Sequence, residues 1–256
     1  MSEILLIGDP ELVQEWEALL EDNNCSTLTL DEMSDLATHS YRSSGGGLKS
    51  KPPIPDFVFE LFTTLDEKTA AVELLDEFID EESVIVTNVL SATATEVASW
   101  LDDSGSVVGI STLPSMATEM PLIEVCKTPY TSEEAMDDLK TLLKRAGKEI
   151  EIVDDRIALV FARILVMVIN EAAFALMEKV ASREDIDRAM QLGTNYPKGP
   201  LAWADEIGLD FVVLTLESLY EEYRDERYRP CVLLKQMVRA GKIGKLEGAG
   251  FYEYGA

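Results

Sequence analysis

The turn after the first apolar run has the position of a dinucleotide-binding turn. The run Ile4–Ile7 ends at Gly8 and precedes an amphipathic segment, which predicts a strand, a tight turn and a helix. In such a turn, glycines let backbone N–H groups approach a pyrophosphate. The three glycine positions are Gly8, Pro10 and Val13, and Pro10 removes one N–H donor. Because Asp9 would also repel a phosphate, the turn predicts weak dinucleotide binding.

Three carboxylates are further candidates for a role in a site. Asp31 follows the predicted second strand, Ser26–Leu30, where a carboxylate would bind the ribose of a dinucleotide. Glu60 lies inside the predicted third strand, Asp56–Phe62, and Glu124 lies in a later short strand. Each is alternatively an ordinary carboxylate at a strand end or in a loop, and the pattern leaves both interpretations open.

The segment before the third strand contains the only histidine, His39, and a basic stretch rich in Gly, Ser and Pro at Tyr41–Pro55. A phosphate-binding loop needs Gly-Lys-Ser/Thr directly after a strand, and GGGLKSK lacks that order. The stretch is therefore interpreted as a flexible loop. His39 is interpreted as a solvated surface residue rather than a general base.

The composition excludes several classes of partner. A net charge of −26 argues against nucleic acid or an anionic membrane surface, because both require clustered Lys and Arg. Cys25, Cys126 and Cys231 form no CxxC pair and suggest neither disulfides nor zinc. With no secretory signal at the N-terminus, a cytoplasmic location is expected.

Strand-like and helical segments alternate as far as Asp154. Apolar runs of strand length are separated by amphipathic segments, which predicts a mostly parallel, helix-covered sheet. The predicted fold class is α/β, a Rossmann-like parallel sheet domain at residues 1–154 followed by an all-α helical domain at residues 155–256.

The segment Asp155–Val180 is predicted to be a central, buried helix. Its apolar residues extend almost all the way round, but Arg163 and Asn170 interrupt the run. A membrane span needs about 20 predominantly apolar residues, so a buried helix of a globular domain is favoured.

Three segments match the motifs of one known family. They are ASREDIDRAMQLGTNYPKGPLAWADEIGLD at Ala181–Asp210, the close GKIGKLEGAGFYEY at Gly241–Tyr254 and, upstream, LIEVCKTPYTSEE at Leu122–Glu134. The first two resemble the helical domain of the 3-hydroxyacyl-CoA dehydrogenase family, and the third resembles the segment that carries its catalytic glutamate.

The resemblance implies a reaction and partners. It implies NAD as cofactor, oxidation of an L-3-hydroxyacyl-CoA by hydride transfer, an acyl-CoA ligand and a homodimer formed by the helical domain. The family uses a His in a GxHFFNP motif, a Glu after it, a Ser from an NTSS turn and an Asn at the start of the central helix.

Carried over by position, several of these residues are replaced. Ser111 lies where the His is expected, and Glu124 keeps the position of the Glu with one residue more between the two than in the family. The NTSS turn places Leu90 at the Ser position, with Ser91 next to it, and Ala162 takes the place of the Asn. The candidate catalytic residues are Glu124, Ser111 and Ser91. The candidate cofactor-binding residues are Gly8, Asp31 and Glu60.

These replacements lead to two hypotheses. The first is a family member that keeps the scaffold and the dimer, has lost or altered hydride transfer, and serves as a binding or assembly module. The alternative is an active oxidoreductase on a 3-hydroxyacyl-CoA or a related hydroxyacid that uses NAD(P) and a different base, Glu124 or Glu60.

Overall fold

The structure consists of two compact units, an α/β unit and a helical unit. The computed structural model describes residues 2–37, 53–75, 77–101 and 106–255. The first unit comprises Met1–Thr112 and Met116–Leu159, and the second comprises Leu113–Ser115 and Val160–Ala256. The α/β and all-α fold classes predicted from the sequence are confirmed.

A single mixed sheet organises the α/β unit. Its order is β2-β1-β3-β4-β5-β6-β7, and all neighbours are parallel except β5 and β6. The strands of this sheet are β1 Glu3–Gly8, β2 Asn24–Thr27, β3 Phe57–Leu61, β4 Val84–Asn88, β5 Ser106–Ile110, β6 Leu122–Lys127 and β7 Glu149–Val153. Every residue of β3 and β4 is buried, as expected for central strands with helices on both faces.

Helices connect the strands and cover the sheet. Those described in the α/β unit are α1 Pro10–Leu19, α2 Leu30–Ala37, α3 Leu65–Leu75, α4 Ala94–Ala98, α5 Met116–Glu119 and α6 Glu133–Arg145. Local capping explains where two of them begin. The Thr93 side chain accepts the Glu96 N–H before α4, and Ser132 accepts the Ala135 N–H before α6.

The predicted second strand, Ser26–Leu30, lies too far along the chain, because β2 spans Asn24–Thr27. Strand β2 ends at Thr27, and Leu30 begins helix α2. A reciprocal cap fixes this helix start, because the Glu32 N–H donates to Thr29 Oγ1 at 3.2 Å and the Thr29 N–H donates to Glu32 Oε2 at 3.1 Å. A helix therefore begins where the prediction extended the strand.

The predicted central helix Asp155–Val180 begins later than expected. Helix α7 spans Phe161–Met177. The preceding Ala158 and Leu159 have φ values of 61° and 41°, and the Ala158 N–H donates to the Val89 carbonyl within the α/β unit at 2.7 Å. The residues before the helix are thus fastened to the first unit in a non-helical conformation. Of the helices in the described residues, none is long and apolar enough to cross a membrane.

The helical unit also contains α8 Arg183–Thr194, α9 Pro200–Ile207, α10 Leu209–Tyr223 and α11 Val232–Arg239. Two buried polar side chains tie its segments together. Asn170 of α7 accepts the Cys231 N–H at 2.7 Å and donates to the Arg229 carbonyl at 3.0 Å. Asp205 of α9 accepts the N–H groups of Phe251 and Tyr252 at 2.7 and 2.8 Å, which anchors the C-terminal turn.

Candidate functional site

The carboxyl ends of β1 and β3 define a crevice at which the direction of the sheet order changes. Strand β1 pairs with β2 on one side and with β3 on the other, and ligands of open α/β sheets bind at such a point. Gly8 pairs with Leu61 across the crevice. A Cβ atom on Gly8 would lie 2.5 Å from the Leu61 carbonyl carbon, and the φ of Gly8 is +146°. Only glycine lets the two strand ends approach this closely.

Asp9 bridges this crevice with its side chain. The Thr63 N–H donates to Asp9 Oδ2 at 2.9 Å. Although Asp9 occupies the N-cap position of α1, its carboxylate makes no capping bond to that helix. Burial raises the pKa of Asp9; the bonds from Thr63 lower it, and repulsion by Glu67 and Glu60 raises it further. The residue after β1 is therefore bonded to the turn after β3.

Glu60 is the centre of a closed polar network at the end of β3. Its carboxylate forms an ion pair with Lys68 of α3, and both side chains are fully buried. The Thr87 hydroxyl donates to Glu60 Oε2 at 2.6 Å, and the Phe62 N–H donates to Glu60 Oε1 at 2.9 Å. Burial lowers the pKa of Lys68, and the Glu60 charge and hydrogen bond oppose that shift. Glu60 thus holds the β3–α3 turn from inside the protein.

The backbone N–H groups at the crevice are poorly suited to binding a pyrophosphate. Pro10, in the first turn of α1, has no N–H, and the Val13 N–H donates to the Asp9 carbonyl at 2.9 Å. The Phe62 and Thr63 N–H groups donate to carboxylates of the protein itself. A phosphate entering here would meet occupied donors and negative charge.

A second group of polar residues follows β4 and β5. The Asn88 side-chain amide donates to the Thr112 carbonyl at 3.1 Å, and Asn88 Oδ1 accepts the Thr112 N–H at 3.2 Å. The Val89 N–H donates to the Ile110 carbonyl at 2.8 Å. These bonds hold the turn that carries Ser91 next to the end of β5.

The structure places the candidate residue Ser111 directly after β5 and Glu124 in the neighbouring strand β6. Strands β5 and β6 are antiparallel and pair Ile110 with Val125. One residue beyond that pair, Ser111 follows β5 opposite the half-buried Glu124. The candidate catalytic positions therefore lie around one end of the β4, β5 and β6 strands.

Hydroxyl groups dominate this strand end. The Oγ atoms of Ser91 and Ser111 and the Oγ1 atom of Thr112 are buried and have no hydrogen-bond partner among the described residues. A serine hydroxyl donates or accepts a hydrogen bond but is not basic enough to act alone as a general base near neutral pH. Glu124 is the carboxylate at this location that could accept a proton.

One candidate residue, Asp31, is not part of either group. Asp31 is exposed in the first turn of α2. It does not directly follow β2, which ends at Thr27. His39 lies outside the described residues. The cofactor roles predicted for Asp31, Gly8 and Glu60 remain predictions.

Sequence reasoning missed Lys68 and Thr87, the two side-chain partners of Glu60. The amphipathic pattern of Glu67–Ile79 predicts a helix, and a charged side chain such as Lys68 is normally solvated there. The available signal was Glu60 itself, because a carboxylate inside a buried strand requires a partner.

Comparisons with known proteins show similarity over most of the chain. The family model described as "3-hydroxyacyl-CoA dehydrogenase, NAD binding domain" matches residues 54–156, and "3-hydroxyacyl-CoA dehydrogenase, C-terminal domain" matches residues 159–254. A probable 3-hydroxybutyryl-CoA dehydrogenase of Bacillus subtilis is 38% identical over 200 residues, which are 78% of this chain and 69% of the relative.

Two further proteins agree with these matches. A 3-hydroxybutyryl-CoA dehydrogenase of Clostridioides difficile is 38% identical over 187 residues, 73% of this chain and 66% of that relative. The crystal structure of (S)-3-hydroxybutyryl-CoA dehydrogenase from Ralstonia eutropha superposes with a TM-score of 0.77 at 28% identity and covers 99% of both chains.

Proposed function

The chain belongs to the 3-hydroxyacyl-CoA dehydrogenase family, and from this premise we propose that it keeps the family scaffold while its NAD-dependent hydride transfer is lost or altered. It then serves as a binding or assembly module. The observation that carries this proposal is Ser111, which follows β5 opposite Glu124 where the family places its histidine base.

The chemistry explains why this one position carries weight. Oxidation of a 3-hydroxyacyl-CoA requires a base that takes the hydroxyl proton while hydride leaves for the cofactor. Loss of a general base typically costs roughly 10²–10⁴ in rate. Ser111 cannot replace that function by itself, and Ala162 provides no polar group at the position of the family Asn.

The crevice between β1 and β3 supports the same proposal. The Phe62 and Thr63 N–H groups already have carboxylate partners, and Pro10 has no N–H to offer. NAD is the cofactor expected for the family, and these residues oppose its pyrophosphate.

As an assembly module, the protein is proposed to form a homodimer through its helical unit and to retain acyl-CoA as a ligand. Several apolar side chains of that unit are exposed in the single chain; Leu192 is 75% exposed and Ile164 53% exposed. Burial of such side chains would favour association. The expected location is the cytoplasm, which the three free cysteines support.

A direct assay tests the loss of dehydrogenase chemistry. Purified full-length protein is mixed with NADH and acetoacetyl-CoA, and NADH absorbance is followed. We expect a rate at least about 10²-fold below that of the Bacillus subtilis relative assayed in parallel. A rate equal to that of the relative would overturn the proposal.

The position of Glu124 favours a second candidate function, an oxidoreductase in which Glu124 is the base. In that case the protein turns over a 3-hydroxyacyl-CoA or related hydroxyacid, and Glu124→Gln abolishes turnover while circular dichroism shows that the variant still folds. No measurable turnover by the wild-type protein with either class of substrate and NAD or NADP would rule this candidate out.

A further inference from the structure

Two consecutive backbone donors in the crevice are paired with carboxylates of the protein itself. The Phe62 N–H donates to Glu60 and the Thr63 N–H to Asp9, each at 2.9 Å. Backbone N–H groups just beyond a strand end are donors that an anionic ligand at this crevice would use. Here the anions come from the chain itself.

The two carboxylates differ in how firmly they are held. Glu60 is locked by its ion pair with Lys68 and by the Thr87 hydroxyl, and it is fully buried. Asp9 is only partly buried, and its carboxylate is held by hydrogen bonds from Thr63, 54 residues away in sequence. Glu60 is therefore a fixed part of the fold, whereas Asp9 is the carboxylate that a ligand could displace.

The Asp9 side chain points away from the helix that it precedes and leaves that helix without a side-chain cap. An Asp at an N-cap normally accepts an N–H of the first helical turn. Asp9 makes no such bond and instead extends across to Thr63. Its carboxylate thus lies between the ends of β1 and β3, where the phosphates of a dinucleotide are bound in open α/β sheets.

We infer that Asp9 is a resident anion that occupies the dinucleotide crevice and excludes NAD by charge and by taking the Thr63 N–H. This inference deepens the proposed function, on which it rests, because it names the residue that keeps the cofactor out. The carboxylate selects against any ligand that places a phosphate at this strand end.

Two substitutions at Asp9 separate charge from occupancy. Asp9→Asn removes the charge and keeps an oxygen that can accept the Thr63 N–H. Asp9→Gly removes both the charge and the acceptor. Asp22→Asn serves as the control, because Asp22 is an exposed carboxylate of the same unit.

The measurement is equilibrium binding of NAD to the full-length proteins by calorimetry. We expect NAD to bind Asp9→Asn more tightly than wild type, and Asp9→Gly at least about tenfold more tightly than wild type. The control should match the wild-type protein. Equal dissociation constants for wild type, Asp9→Asn and Asp9→Gly would overturn the inference, as would micromolar NAD affinity of the wild-type protein.

A second measurement does not depend on how Asp9→Gly folds. In the wild-type protein, protonation of Asp9 removes the same charge, so NAD affinity should rise as the pH falls, and Asp9→Asn should lose this component of the pH dependence. Identical pH profiles for the two proteins would contradict the inference.

Binding and catalysis can fail separately in these experiments. If the wild-type protein binds NAD tightly but does not oxidise NADH, the inference about Asp9 fails and the proposed loss of hydride transfer stands. If the wild-type protein is an active dehydrogenase, the proposed function fails as well.

Discussion

Glu60 and Lys68 form an ion pair in which both side chains are completely buried beneath the β3–α3 turn. A buried pair stabilises a fold only while both charges remain, because desolvation of a lone charge is costly. The Phe62 N–H and the Thr87 hydroxyl complete the bonding of the Glu60 carboxylate. This pair therefore stabilises the turn after β3, in which the Thr63 N–H is bonded to Asp9.

Removing one member of the pair should be strongly destabilising. We expect Lys68→Met to lower the free energy of unfolding by about 3–5 kcal/mol, because Glu60 is left buried without its cation. The double substitution Glu60→Gln with Lys68→Met should recover part of that loss, because it removes the unpaired charge and keeps an amide oxygen that can accept the Phe62 N–H or the Thr87 hydroxyl. Urea denaturation followed by circular dichroism measures both effects.

The exposed pair between Lys242 and Glu253 provides the control. Their side chains are 48% and 70% exposed, so Lys242→Met should cost less than about 1 kcal/mol. If Lys68→Met were as mild as Lys242→Met, the buried pair would not contribute as described.

Gly8 should tolerate no side chain. In Gly8→Ala, the new Cβ would lie 2.5 Å from the Leu61 carbonyl carbon in addition to adopting an unfavourable φ of +146°. We expect a loss of about 2–4 kcal/mol in the free energy of unfolding from the combined clash and backbone strain.

Gly147→Ala isolates the contribution of backbone conformation. Gly147 has a φ of +76°, and its Cβ would have no heavy atom within 4 Å. The expected loss is about 1 kcal/mol, measured by the same denaturation method. Equal losses at Gly8 and Gly147 would show that the approach of β1 to β3 imposes no steric limit.

The pKa of Asp9 predicts a pH dependence of stability. Burial raises this pKa above its ordinary value of 3.8, so the folded state retains a proton that the unfolded state has already lost. Wild-type stability should therefore fall relative to Asp9→Asn as the pH rises from 3.8 through the raised pKa, and the difference should be constant above it.

Urea denaturation of both proteins from acid to neutral pH measures this difference. Asp22→Asn controls for the loss of one negative charge from an exposed position. Parallel stability curves for wild type and Asp9→Asn would mean that folding leaves the pKa of Asp9 unchanged.

The sequence predicted the strands of the sheet well and the segments that connect them less well. The sequence predicts a last strand at Glu149–Val153, which is the observed span of β7. The apolar runs located the other strands to within a few residues. Helix α2 was missed although Thr29-x-x-Glu32 is the pattern of a reciprocal helix cap. The helix cap could therefore be recognised from the sequence, but the strand-like pattern of the preceding residues led to the prediction of a strand.

The contacts of the candidate site depended on tertiary structure. Asp9 and Thr63 are 54 residues apart, and their bond requires the pairing of β1 with β3, which periodicity does not specify. Similarly, Glu124 and Ser111 were aligned by resemblance, but only the antiparallel pairing of β5 with β6 places Glu124 beside the end of β5, which Ser111 follows. Residue types were predictable and their partners were not.

Restoring a histidine at position 111 tests how much of the dehydrogenase machinery survives. In Ser111→His the imidazole would lie after β5 opposite Glu124, the arrangement of a base and its orienting carboxylate. We expect NADH oxidation with acetoacetyl-CoA to remain near the wild-type rate, because Asp9 still occupies the crevice. The double substitution Asp9→Gly with Ser111→His should exceed both single substitutions by at least about tenfold. Ser111→Ala with Asp9→Gly is the matched control, and melting temperatures establish that each variant folds. A rise of about 10²-fold in Ser111→His alone would mean that NAD already reaches the site, and that only the base is missing.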